Sequence, residues 1–167
     1  MRKTLFPGRG AARSGASLRP GNEGHHHRLH KTKQMTQHHV LHPKSWKTPK
    51  GFVNGIAAEG RLVFLAGQVG WNAEQIFESE DFIGQTRQAL ANIVSLVKEA
   101  GGAPEHIVRL TWFVLDKREY LSHLRALGSA YREVMGRHFP AMTLVQVGAL
   151  VEDKAKVEIE ATAVVPK

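Results

Sequence analysis

The sequence predicts an α+β domain with element order ββαβαββ, and three observations carry it. Residues 156–165 alternate, with Val157, Ile159, Ala161, Ala163 and Val165 on one side and Glu158, Glu160 and Thr162 on the other, as in a half-buried strand. Two stretches ending near residues 100 and 135 repeat apolar residues at helical spacing. Around them lie short runs rich in Val, Leu, Ile and Phe, bounded by Gly, Pro or acidic residues, which read as strands.

In order, residues 52–57 and 61–67 flank Glu59-Gly60 and read as a hairpin. Ser79 is placed to cap a first helix, with Glu80 and Asp81 at the favourable end of its dipole. Phe82, Thr86, Ala89, Leu90, Ile93, Leu96, Val97 and Ala100 form its stripe, and Gly101-Gly102 stop it. Residues 107–115 form a strand. Asp116 and Glu119 have capping-box spacing for a second helix, whose stripe is Tyr120, Leu121, Leu124, Leu127, Tyr131, Val134 and Met135 and whose end is Gly136. Two strands, about 142–150 and 156–165, complete the domain.

Two helices cover one face of such a sheet. In residues 107–115, Ile107, Thr111, Phe113 and Leu115 point one way and Val108, Leu110, Trp112 and Val114 the other, so both faces are apolar. An apolar face that no helix covers is expected to meet another copy of the chain.

The length of 167 residues suits one domain. Its formal charge of +8 is uneven. Residues 1–34 hold Arg2, Lys3, Arg9, Arg13, Arg19, Arg28, Lys31 and Lys33 against the single acid Glu23, which leaves residues 35–167 nearly neutral. Such a segment cannot bury enough apolar surface to offset its ordering and is expected to be disordered. Three readings compete for it: a solvated extension or upstream start with Met35 as the true start, a targeting peptide, and a nucleic-acid arm. The first is favoured. His25, His26, His27 and His30 are read as a floppy tract, with adventitious metal binding the lesser alternative. Residues 35–167 form the expected domain. Zero cysteines exclude disulfides, thiolate metal sites and a Cys nucleophile, and fit the reducing cytoplasm. No apolar run approaches the roughly 18–20 residues that span a bilayer, so a soluble protein is expected.

Chemistry points to the last strand. Glu158 and Glu160 share a face opposite the core, and a carboxylate on a rigid strand can orient water or move a proton. The competing reading of Glu158 is a carboxylate paired or solvated on the polar face, and Glu160 is read as structural. His106, His123 and His138 lack ligand spacing and have no triad partners, and no Walker, GxGxxG or HExxH motif occurs. Trp112 reads first as an interface residue and second as a ligand contact. Trp71 and Gln68 are evenly balanced between ligand and structural roles.

Four segments carry a family resemblance: Leu65-Ala66-Gly67-Gln68, residues 85–93, His138-Phe139-Pro140-Ala141, and Val157-Glu158-Ile159-Glu160-Ala161. In order and spacing they resemble the Rid family, also called YjgF and labelled endoribonuclease L-PSP-like, over roughly residues 50–165. The resemblance implies a chorismate-mutase-like fold, a homotrimer with clefts between subunits, and hydrolysis of enamines and imines without metal or organic cofactor. Glu158 matches the family glutamate that holds the attacking water, with backbone near Gly67 and Thr143 beside it. Active members carry an arginine after Phe-Pro-Ala that clamps the substrate carboxylate, and here Met142 stands there, with no donor to offer. Phe52, Ala66 and Leu144 replace commoner polar residues. The implied pocket, with Trp71 and Trp112 as candidate walls, is more apolar and suits an uncharged or aromatic substrate.

The favoured function is therefore a Rid-like deaminase with altered preference. A non-catalytic small-molecule sensor is second. RNA cleavage is last, because the near-neutral domain has no basic stripe.

Overall fold

The computed structural model describes residues 38–167. The expectations for residues 1–34, their boundary and their histidines lie outside the described residues. The elements are β1 (His39–Leu41), β2 (Gly55–Ala57), β3 (Arg61–Val69), α1 (Phe82–Glu99), a 3-10 turn (Pro104–His106), β4 (Ile107–Val114), α2 (Lys117–Ser122), α3 (Leu124–Met135), β5 (Ala141–Gln146) and β6 (Val157–Val165).

The α+β class is as expected, built on β6. The four-stranded order is β3-β6-β4-β5, with β6 antiparallel to both neighbours and β4 parallel to β5. Parallel neighbours need a long crossover, which α2 and α3 supply. The alternation along β6 sends Val157, Ile159 and Ala163 into the core, where they meet Leu90, Ile93 and Val97 of α1 and Leu127 and Met135 of α3.

Three expectations need correction. First, residues 52–57 and 61–67 do not pair with each other. β2 pairs with β1, Val40 opposite Ile56, while the ladder partner of β3 is β6. Glu59-Gly60 is a bend at which Gly60, at φ 152°, lies against the Val165 carbonyl, where a side chain would collide. Second, the helix after Asp116 breaks at His123 (φ −114°, ψ 17°). Asp116 accepts from the Arg118 amide at 2.7 Å, but Glu119 closes no capping box, because its carboxylate takes the Lys156 ammonium at 3.0 Å. Third, Ile107 lies opposite Ala163 and Arg109 opposite Thr162, so β4 carries one extra residue. Ile107 consequently turns into the core with Leu110, Trp112 and Val114.

At the start of α1 the cap is Asp81 rather than Ser79. Its carboxylate accepts from the Gly84 amide at 2.9 Å, and the Ser79 hydroxyl donates to it at 2.6 Å. These bonds, Ser79 first, hold the Asp81 carboxyl below the usual carboxylate range. At the other end Gly101, at φ 76°, lets the Gly102 amide return to the Val97 carbonyl at 2.9 Å.

One buried side chain ties this helix to β6. Gln85, 1% exposed, donates to the Lys154 carbonyl at 2.9 Å and the Ser79 carbonyl at 3.1 Å, and accepts from the Lys156 amide at 2.8 Å. The chain is thereby fixed two residues before Glu158. Replacement by an apolar isostere strands a buried donor and two acceptors. Gln85→Leu is expected to destabilise the fold by about 3 kcal/mol or more, at about 1 kcal/mol or more for each of the three unmet groups, read from the midpoint of urea unfolding.

Candidate active site

Alternation along β6 sends Glu158 to the face that no helix among the described residues covers. In the register it lies between Val69 of β3 and Phe113 of β4. Beside it β3 bulges: Leu65 is opposite Ala161 and Gln68 opposite Ile159, so Ala66 and Gly67 together face Glu160. The bulge brings Gly67 directly beneath the Glu158 carboxylate. A Cβ at position 67 would collide with Oε1 and lie 2.7 Å from Cδ, so only glycine admits this approach.

The Glu158 side chain is half-buried. Among the described residues its carboxylate has no hydrogen-bond or ion-pair partner in this chain. The nearest basic side chain in sequence, Lys156, is held by Glu119. A carboxylate so placed keeps its lone pairs open to a water or an iminium proton. Glu160 is different: it lies 4.0 Å from the Arg109 guanidinium, and at about half exposure on both sides such a pair contributes little.

The remaining expected residues fall into two groups. Gly67 and Gln68 belong to the β3 edge next to Glu158. The Gln68 amide folds back on its own strand, donating to the Ala66 carbonyl at 3.0 Å. Phe52, Met142, Thr143 and Leu144 gather at the opposite edge. Phe52 is 38% exposed and adjoins Val53, which bridges Ala141. Met142 pairs with Leu110 and Leu144 with Trp112, so both turn to the helix side and pack against the core, whereas Thr143 faces outward beside Thr111. With about 4.8 Å between strands, the β5 edge stands roughly 10 Å from Glu158. Within one chain these two groups do not meet.

Trp112 is corrected outright. It is 2% exposed inside the core, on the helix side of β4, and can touch neither ligand nor a neighbouring copy. Trp71 sits in the turn after β3, partly buried, with its ring 6.0 Å from that of Phe77 and its carbonyl accepting from Asn92 at 2.8 Å.

Sequence reasoning missed Phe113 and Val145, which extend the row from Glu158 across β4 and β5 on the same face. The signal existed in the parity of β4, but the pairing that sets Phe113 beside Glu158 is not legible in either strand alone. Further along the face, Leu62 and Phe64 are 60% and 77% exposed. Two surface hollows of about 450 and 400 Å³ lie elsewhere, between α1 and α3 and at the α2–α3 break, and neither includes Glu158. Among the described residues no helix is long and apolar enough to cross a membrane.

Residues 44–165 match the family model described as endoribonuclease L-PSP. A 2-iminobutanoate/2-iminopropanoate deaminase of Salmonella typhimurium is 34% identical over 113 residues, covering 68% of this chain and 86% of its own. A RutC family protein of Haemophilus influenzae is 32% identical over 105 residues, covering 63% and 80%. Among solved structures, a Rid-family protein of Yersinia pestis superposes with TM-score 0.69 at 31% identity, covering 77% of this chain and 98% of that one. The YjgF gene product of Escherichia coli gives TM-score 0.54 at 33% identity, covering 68% and 87%. The uncovered four-stranded sheet, the glutamate over its glycine bulge and these likenesses agree: the chain belongs to the endoribonuclease L-PSP family, that of the YjgF/Rid proteins.

Proposed function

We propose that the protein is a cytoplasmic hydrolytic deaminase of reactive enamines and imines, working without metal or organic cofactor in a cleft between copies of a homotrimer. The observation that carries the reading is the unpaired Glu158 carboxylate held over Gly67, in a family with relatives named imine deaminases. The separation of the two residue groups supports a shared cleft. Glu158 points out of the sheet one strand in from the β3 edge, and Phe52 and Thr143 lie at the β5 edge, so a neighbouring copy whose β5 edge is laid over the outward face brings its Phe52 and Thr143 to Glu158.

In that cleft the protonated imine presents an electrophilic carbon. Glu158 orients a water and takes its proton as the C–O bond forms. That proton then passes to the nitrogen, the C–N bond breaks as Glu158 takes the hydroxyl proton, and the carbonyl compound leaves with ammonia, which carries the proton away as ammonium. Main-chain groups near Gly67 and Thr143 position the substrate. Met142 in the arginine's place offers no charge-assisted hydrogen bond, so the preference shifts from imino acids toward uncharged or aromatic imines.

Ammonia release from a panel of imines tests both parts. Glu158→Gln is expected to lower turnover about 100-fold or more, in the range of a lost general base. 2-Iminopropanoate is expected to be a poor substrate of the unmodified protein. Substrate binding with no turnover would instead favour the non-catalytic sensor. Gly67→Ala, which forces the Glu158 carboxylate aside, is expected to cut turnover while moving the urea midpoint little, because the displaced side chain is half-exposed. Full activity in that variant would remove the bulge from the mechanism.

A further inference from the structure

Three imidazoles from separate parts of the chain meet where β4 and β5 begin: His38 just ahead of β1, His106 ending the 3-10 turn, and His138 between α3 and β5. The rings of His38 and His106 lie 6.2 Å apart, edge to face. They are not arranged to hold a metal ion. His106 Nδ1 accepts from the Ala103 amide at 2.8 Å, which places its neutral-form proton on Nε2. His138 Nε2 donates to the Ile107 carbonyl at 2.6 Å. The backbone of His138 is held in turn, its carbonyl accepting from Tyr131 OH at 2.9 Å.

His38 is the exception. Both of its ring nitrogens are buried, and neither has a hydrogen-bond partner among the described residues. A neutral ring tolerates that state far better than an imidazolium, whose two N–H groups would be unmet beside two other histidines. Burial first, then repulsion from His106 and His138, holds the His38 pKa below its ordinary 6.5.

The segment that His38 leads is weakly held. The β1–β2 hairpin forms its own two-stranded sheet. Among the described residues its hydrogen-bonded tie to the main body is the Val53 amide to the Pro140 carbonyl at 3.2 Å. Of the two attachments, His38 therefore lies against His106 and near His138, and Val53 against Pro140 and Ala141.

We propose that His38, seated against His106 and beside His138, is a proton-operated latch that docks residues 38–57 when its ring is neutral and releases them on acidification. The released ring titrates near 6.5 and the docked ring lower, so below that pH the released form binds more protons. Docking is unaffected above about pH 6.5 and weakens as pH falls beneath it. The titratable groups facing His38 are His106 and His138. The neighbouring Glu105 and Arg137 are exposed, and no ion pair among the described residues involves the cluster. His42 is engaged within the hairpin, with Trp46 and Asn54. Since the segment carries Phe52, release would open one wall of the cleft; that consequence rests on the deaminase reading, and the latch does not.

Hydrogen exchange of the full chain, read by mass spectrometry at pH 7.5 and 5.5 with intrinsic rates corrected, tests the latch. Protection across 38–57 is expected to fall several-fold at pH 5.5, up to about tenfold for one proton, while β4 and β6 stay unchanged. In His38→Phe the acid-dependent loss is expected to vanish. Should that variant be undocked at both pH values, His138→Gln, which keeps a donor for Ile107 and removes the repulsion His138 exerts on His38, is expected to shrink the loss. Unchanged protection of the unmodified hairpin, or an undiminished acid-dependent loss in His38→Phe or in His138→Gln, overturns the proposal. None of these readouts depends on turnover.

Discussion

The structure depends on a sheet that, among the described residues, helices cover on one side only. α1 and α3 seal the face made by Val157, Ile159, Leu110 and Val114, while the reverse face leaves Phe64 and Leu62 largely in solvent. Burying a side chain of that size contributes roughly 1.5–3 kcal/mol, so a face carrying several favours assembly. Glu158 stands on the same face. Whatever covers the apolar residues also decides how much water reaches the carboxylate, which ties assembly to chemistry.

The direction of Glu158 is set from behind. β6 enters the sheet under two constraints at Lys156: its amide bonds to the Gln85 side chain and its ammonium to Glu119. One residue further, Val157 is fully buried. The next side chain must then point outward, and the β3 bulge leaves it room over Gly67. Core packing, a buried amide and a missing Cβ together aim one carboxylate.

Much of this was legible where local pattern dominates. The alternation of β6 identified the core face and the outward acids correctly, because a period of two is a property of the strand itself. The stripe of α1 was equally plain. Pairing was not. β2 joins β1 instead of β3, and neither Glu59-Gly60 nor its flanks encode which partner wins. Trp112 was misplaced because β4 is apolar on both faces, so alternation separates its two sides without saying which one the helices take. The break at His123 escaped notice because the apolar spacing continues across it. Glu158 was reached by strand alternation and Gly67 by family likeness, but their contact arises from a bulge that no single segment announces.

The central claim is that the uncovered face is buried between copies of the chain. Sedimentation velocity at micromolar concentration tests it most directly, comparing the unmodified protein with Phe64→Lys, which sets a charge on that face. The account predicts a trimer for the former and a monomer of unchanged helix content for the latter. A monomeric unmodified protein, or a Phe64→Lys variant that assembles as before, would contradict it.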